Sequence, residues 1–225
     1  MLTLAFGSSA KTAGVALMSD GTLLGQTFQN CGLTHSATLL PMAVDLIKNC
    51  GVSKSELGMI AVARGPGSFT GVRIGVSTAK GLAWALEIPV CGVSTLEAMA
   101  WHGLSAPEGA TLCCVMDARR EQVYNALFRI RDGAPFRLCP DRAISIGELA
   151  EELKNAKNGV LLIGDGAKLC YNEIEGAILP PEPLICQSAW GVAMAAGSAA
   201  STDCHGLTPV YIRLSQAERE RQEKL

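Results

Sequence analysis

Read from its first residue, the chain sets its apolar positions in short unbroken blocks divided by Gly, Pro and Asp, with stretches of three-to-four spacing between them. Leu2–Phe6 reads as a buried strand and Thr12–Met18 as a second, and Asp20-Gly21 supplies a hairpin turn into a third, Thr22–Gln29. Helical spacing then runs from about His35 to Asn49, stopped by Gly51. Pro41 lies inside that stretch and either kinks the helix or marks its first turn. Met59–Ala63 predicts a strand, a glycine-rich loop opens a helix from about Gly71 to Leu86, and Pro89–Val93 predicts another strand. Ser94 caps the next helix, with Glu97 at the capping-box position.

The second half repeats this order. Thr111–Asp117 and Gln122–Ile130 predict strands, and Asp132-Gly133 turns the second into a short third near Phe136–Cys139. Ser145 and Glu148 open a helix to about Ala156. Val160–Ile163 reads as a strand, Asp165-Gly166 leads into a helix near Ala167–Glu175, Leu184–Cys186 reads as a short strand, and Ser188–Ser201 as a last helix. Each half is thus βββαβαβα, which predicts an α/β protein of two duplicated lobes, residues 1–103 and 104–225, with a cleft between them. The join falls in the Ser/Pro/Gly-containing stretch Gly103–Gly109, and the last segment is expected to pack back on the first lobe. Gln216–Leu225 alternates acids and bases, the pattern of a solvated helix end.

Composition removes several functions. The formal charge of -2 over 225 residues, with no basic run, is not that of a dedicated nucleic-acid binder. Any work on RNA would draw its phosphate contacts mainly from another chain. Nine cysteines are an odd number without a C-x-x-C pair, so they read as reduced thiols of a cytoplasmic protein and not as a zinc site. The histidines are His35, His102 and His205, and neither H-E-x-x-H nor a nucleophile elbow is present, which argues against a peptidase. The N-terminus lacks the basic flank of a signal peptide, and Ala189–Ala200 is too short to span a bilayer.

Two places could carry chemistry or binding. Arg64-Gly65-Pro66-Gly67-Ser68-Phe69-Thr70-Gly71-Val72-Arg73 joins a strand to a helix and lacks the Gly-Lys-[Ser/Thr] of a phosphate-binding P-loop. Ser68 and Thr70 either present a helix N-terminus to an anion or simply cap that helix. Asp117 and Arg119 end a second-lobe strand at the cleft, where an acid holds a metal-bound phosphate or pairs with Arg119, Arg120 or Arg64. The equivalent first-lobe position is Gly7, which brings no carboxylate and so argues against phosphoryl transfer. The helices His35–Ile47 and Gly71–Leu86 are apolar beyond one face, and Gly71, Gly75 and Ala79 leave a stripe of nearly bare backbone. Either a second chain or the other lobe must cover them.

The run Ala63-Arg64-Gly65-Pro66-Gly67-Ser68-Phe69-Thr70-Gly71-Val72-Arg73-Ile74-Gly75, followed by Lys80-Gly81-Leu82-Ala83, closely resembles the signature of the TsaB (YeaZ) family. Thr34-His35-Ser36 with Leu40-Pro41, Val93-Ser94-Thr95-Leu96, Asp117-Ala118-Arg119 through Val123-Tyr124, and Pro209-Val210-Tyr211-Ile212-Arg213 extend the resemblance over the whole chain. It implies an actin-like (ASKHA) fold. It also implies a non-catalytic dimerisation subunit in the making of threonylcarbamoyladenosine beside the anticodon of tRNAs that read A-starting codons.

In that family the catalytic, metal-carrying partner is the paralogue TsaD, the ATPase TsaE joins the complex, and TsaC or a relative supplies the activated adenylate. Alone, the subunit forms homodimers through similar surfaces. The resemblance therefore implies no cofactor or metal of the chain's own, ATP held mainly by partners, only indirect contact with tRNA and no membrane. It places the pairing face on His35, Leu39, Leu40, Met42, Ala43, Leu46, Gly71, Arg73, Gly75, Thr78, Ala79 and Leu82. Gly7-Ser8-Ser9 departs from the family's Asp-Thr-Ser, which removes the acid from any nucleotide-linked role. The alternative is an ATP-dependent small-molecule kinase of the same superfamily, motivated by Asp117 and Gly164-Asp165-Gly166.

Overall fold

A computed structural model of the chain describes residues 1–156 and 158–213. The expected tail helix Gln216–Leu225 lies outside the described residues.

The first half forms as its pattern predicts. β1 (Leu2–Gly7), β2 (Ala13–Ser19) and β3 (Thr22–Gln29) make an antiparallel meander. They are followed by α1 (His35–Asn49), β4 (Leu57–Ala63), α2 (Phe69–Leu86), β5 (Val90–Val93) and α3 (Thr95–Ala100). The sheet order is β3-β2-β1-β4-β5, with β4 parallel to β1 and β5 parallel to β4. Asp20 and Gly21 both take positive φ, 45° and 83°, as a two-residue hairpin turn of the right twist requires. α1 runs through Pro41, whose side chain faces solvent.

The second half has the same core topology with additions. β6 (Thr111–Asp117), β7 (Gln122–Arg131) and β8 (Ala134–Arg137) repeat the meander, and β10 (Val160–Ile163) and β11 (Ala177–Ile178) add in parallel, in the order β11-β10-β6-β7-β8. The plain βββαβαβα reading needs three corrections here. An extra strand, β9 (Arg142–Ser145), pairs with the start of β7, and it carries too short an apolar run to signal itself. The helix expected to reach Glu175 stops at Cys170 as α5 (Ala167–Cys170), after α4 (Ile146–Leu153). Leu184–Cys186 is not a strand: Glu182–Ile185 is helical (α6), because Pro181 and Pro183 suit a helix start, where a missing N–H costs nothing. The sheet edge is instead Ala177–Ile178.

The final helix, α7 (Ala189–Ala196), packs against β1, β2 and β4 of the first sheet, while α3 packs against β6 and β7 of the second. Ala189, Val192, Ala193, Ala195 and Ala196 join Ala5, Ala16, Ala61 and Cys91 in one core cluster. Leu96 and Met99 join Leu112, Cys114 and Phe128 in another. The halves thus exchange their last helices. α3 and α7 cross so closely that a Cβ on Gly191 would collide with the Ala98 carbonyl.

Candidate functional site

The glycine-rich loop after β4 is built to lie on its neighbours. Gly65 has φ 121°, open to glycine alone, and any side chain there would strike the Val210 carbonyl. One turn on, the Ser68 N–H donates to the Ser9 carbonyl at 2.7 Å and Ser8 Oγ donates to the Gly71 carbonyl at 2.9 Å. Ser68 Oγ accepts from the Gly71 N–H at 3.3 Å, so Ser68, and not Thr70, is the N-cap of α2. Part of the helix N-terminus that could face an anion is therefore spent on the β1–β2 connection, and Ser8 and Ser9 are fully buried beneath it.

Asp117 and Arg119, the other residues expected at a cleft, lie at the end of β6 and in the turn before β7. Asp117 is exposed at the end of β6, and its Oδ1 accepts the Arg119 N–H at 2.7 Å, while no ion pair among the described residues joins it to a guanidinium. Arg119, Arg120 and Glu121 all take positive φ. Asp165 lies half-buried beside Asp117, whose N–H donates to its Oδ1 at 3.3 Å, and burial holds its carboxyl above the usual carboxylate range. No hydrogen bond among the described residues joins Ser68 or Thr70 to Asp117 or Arg119, and no group of three or more His, Cys, Asp or Glu there could hold a metal ion.

The helix pair sorts the expected pairing residues into two sets. Leu39, Met42, Ala43, Leu46, Gly71, Gly75 and Ala79 face the chain's own sheet and are buried. The bare stripe read from the sequence is thus already covered from within: a Cβ on Gly75 would meet Ser8 Oγ and come within 3.3 Å of Val62. Leu40 and Arg73 are exposed, while His35, Thr78 and Leu82 are half-buried. His35 Nε2 donates to the Lys11 carbonyl at 3.3 Å, tying the start of α1 to the β1–β2 loop.

The outward surface joins Leu40, Thr70 and Arg73 to residues that the sequence reading did not select as site residues. On α1, Leu40 and Val44 are 45% and 50% exposed, with Pro41 between them. On α2, Thr70, Arg73, Ser77, Gly81 and Trp84 recur at three-to-four spacing along the exposed face, and Trp84 is 70% exposed. Nothing lies within 4 Å of a Cβ built on Gly81. Counting in threes and fours from Arg73 reaches this stripe, and Trp84 is the signal that could have revealed it.

Two lobes of matching topology, with a first-lobe loop packed on its neighbours and apolar residues exposed on two adjacent helices, have the actin-like (ASKHA) fold. Residues 29–174 match the family model "TsaD: tRNA N6-adenosine threonylcarbamoyltransferase". The chain is 34% identical to the tRNA threonylcarbamoyladenosine biosynthesis protein TsaB of Bacillus subtilis (strain 168), over 97% of this chain and 96% of that one. It superposes on YeaZ from Pseudomonas aeruginosa with a TM-score of 0.81 at 27% identity, over 93% of this chain and 99% of that one. Component A of the (R)-2-hydroxyglutaryl-CoA dehydratase from Acidaminococcus fermentans, with a TM-score of 0.51 at 11% identity over 88% and 97% of the two chains, shares the fold alone. The chain belongs to the TsaB (YeaZ) family of tRNA threonylcarbamoyladenosine biosynthesis proteins.

Proposed function

We propose that this chain is a non-catalytic subunit of the threonylcarbamoyladenosine machinery that pairs with a TsaD-type catalytic paralogue through the outer faces of α1 and α2. One observation carries the reading: after the lobes have packed, Leu40, Val44 and Trp84 still stand in solvent on adjacent helices. Exposed apolar ridges of this kind are covered by protein partners. The lack of a carboxylate at Gly7 and the turning of Asp117 onto its own hairpin give the kinase alternative little support. ATP and the TsaE-type ATPase belong to the assembled complex, and alone the chain is expected to self-associate through the same face.

Gly81 provides the test. Gly81→Glu adds bulk and charge to the outer stripe, where nothing lies within 4 Å, and replaces a poor helix former. Sizing of the chain mixed with its TsaD-type partner should show a complex with the unaltered chain and none with Gly81→Glu, while the thermal midpoint does not fall. A Gly81→Glu chain that pairs as well as the unaltered one defeats the proposed face.

A further inference from the structure

The segment after Leu207 runs as a strap over the outside of α2. Lys80 Nζ donates to the Leu207 carbonyl at 3.1 Å, the Val210 N–H donates to the Arg64 carbonyl at 2.7 Å, and Arg213 Nη1 donates to the Ala118 carbonyl at 2.8 Å. Between these anchors Tyr211 lies flat on Phe69, with ring centroids 4.0 Å apart and planes 2° from parallel. Arg73 lies alongside the stacked pair, its Cζ 5.1 Å from the Phe69 centroid and 5.6 Å from that of Tyr211, and its Nε donates to Tyr211 Oη at 2.9 Å.

Arg73 belongs to the exposed stripe of α2. Contact with the two rings and the Nε bond hold its guanidinium in one place, and among the described residues its two terminal nitrogens have no hydrogen-bond or ion-pair partner. A planar fork already fixed in position loses little freedom on binding, and its geometry matches a carboxylate taken by two hydrogen bonds.

We infer that the C-terminal strap completes the pairing face, with Tyr211 the residue that positions Arg73 to receive a carboxylate from a helix of the partner laid along α2. The inference rests on the pairing reading above and names the chemistry of the occupant. Charge complementarity favours a different chain over a second copy, because Asp45 is the one acid that α1 and α2 together carry.

Calorimetric titration of the full chain with its TsaD-type partner tests the assignment. Arg73→Ala should raise Kd about tenfold or more. Arg73→Lys should do nearly the same, since an ammonium keeps the charge but lacks the planar fork and the Nε donor to Tyr211. Tyr211→Phe keeps the ring and loses the hydroxyl, and should raise Kd roughly threefold to tenfold. All three should melt close to the unaltered chain, and Arg73→Ala should lose part of the salt dependence of Kd. Unchanged pairing by Arg73→Ala overturns the inference. So does a Tyr211→Phe chain that binds like the unaltered one, or a loss seen in self-association alone. Failure of the unaltered chain to pair at all instead removes the pairing reading on which this one stands.

Discussion

His102 is buried where α6 meets α7, with the Leu184 carbonyl 3.2 Å from Nδ1, Ser188 Oγ 3.0 Å from Nε2 and the Trp190 ring tilted against it. A carbonyl only accepts, so Nδ1 donates to Leu184, and in the neutral ring that burial favours Nε2 accepts from the Ser188 hydroxyl. Burial pushes the His102 pKa below its ordinary value, and the Leu184 bond opposes this only in part. The folded chain therefore binds fewer protons here than the unfolded one at pH values between the lowered pKa and the ordinary one. Stability from this site is complete above about pH 6.5 and is lost as the pH falls below it. Urea unfolding of the unaltered chain and His102→Gln should show the gap between their stabilities shrinking with acidification. A gap that stays constant from about pH 7.5 to about pH 5.5 refutes the buried neutral imidazole. Nothing local in Trp101-His102-Gly103 announces this role, because every partner of the ring comes from more than eighty positions away.

At the scale of the element, α2 carries two stripes of small residues. Gly71, Gly75 and Ala79 face inward, and Ser77 and Gly81 face outward. The same substitution on each side should have opposite signs. Gly81→Ala meets nothing and gains helix propensity, stabilising by up to about 1 kcal/mol. Gly75→Ala forces its methyl onto Ser8 Oγ and Val62, an overpacking that costs about 1–3 kcal/mol. Denaturant midpoints that move in the same direction would contradict the orientation of the helix. The sequence reads α2 as too apolar for a one-sided surface helix; its outer face carries Trp84 and the bare Gly81 among Thr70, Arg73 and Ser77. Sequence alone does not say which small stripe is outside, because Ser8, the residue that fills the inner one, lies 63 positions away from Gly71. The β strands of the first half were legible for the opposite reason. Their burial follows unbroken runs such as Leu57–Ala63, and their hairpin is set by Asp20-Gly21 on the spot. Leu184–Cys186 failed because three apolar positions fit a strand or a helix equally, and two prolines decide it.

Over the whole molecule, the exchange of α3 and α7 makes each sheet depend on the other half of the chain. Without α7, the face of the first sheet formed by Ala5, Ala16, Ala61 and Cys91 has no cover. Without α3, Leu112, Cys114 and Phe128 lose Leu96 and Met99. Small residues dominate the α7 side, so the helix sits close to the strands and the contact depends on fit more than on bulk. Removing two methyl groups at Val192, which is 2% exposed, should cost about 1–3 kcal/mol. Because α7 also packs on α3, that loss should reach both sheets. Hydrogen exchange on Val192→Ala should then show amides of Leu4–Phe6 in β1 and of Leu112–Val115 in β6 losing protection together, with a single thermal transition at a lower midpoint. Loss confined to β1 and β2, or two separate transitions, would mean that the lobes unfold independently and that the exchanged helices are only draped across them. The pairing face would share in this coupling: α2 rests on β4, β4 on α7, and the strap from Leu207 to Arg213 ties the outer end of α2 to the β6–β7 hairpin. A partner gripping α1 and α2 would therefore be held by the stability of both lobes, and Val192→Ala, far from the outer stripe, should speed its dissociation only under conditions where the unaltered chain also begins to open.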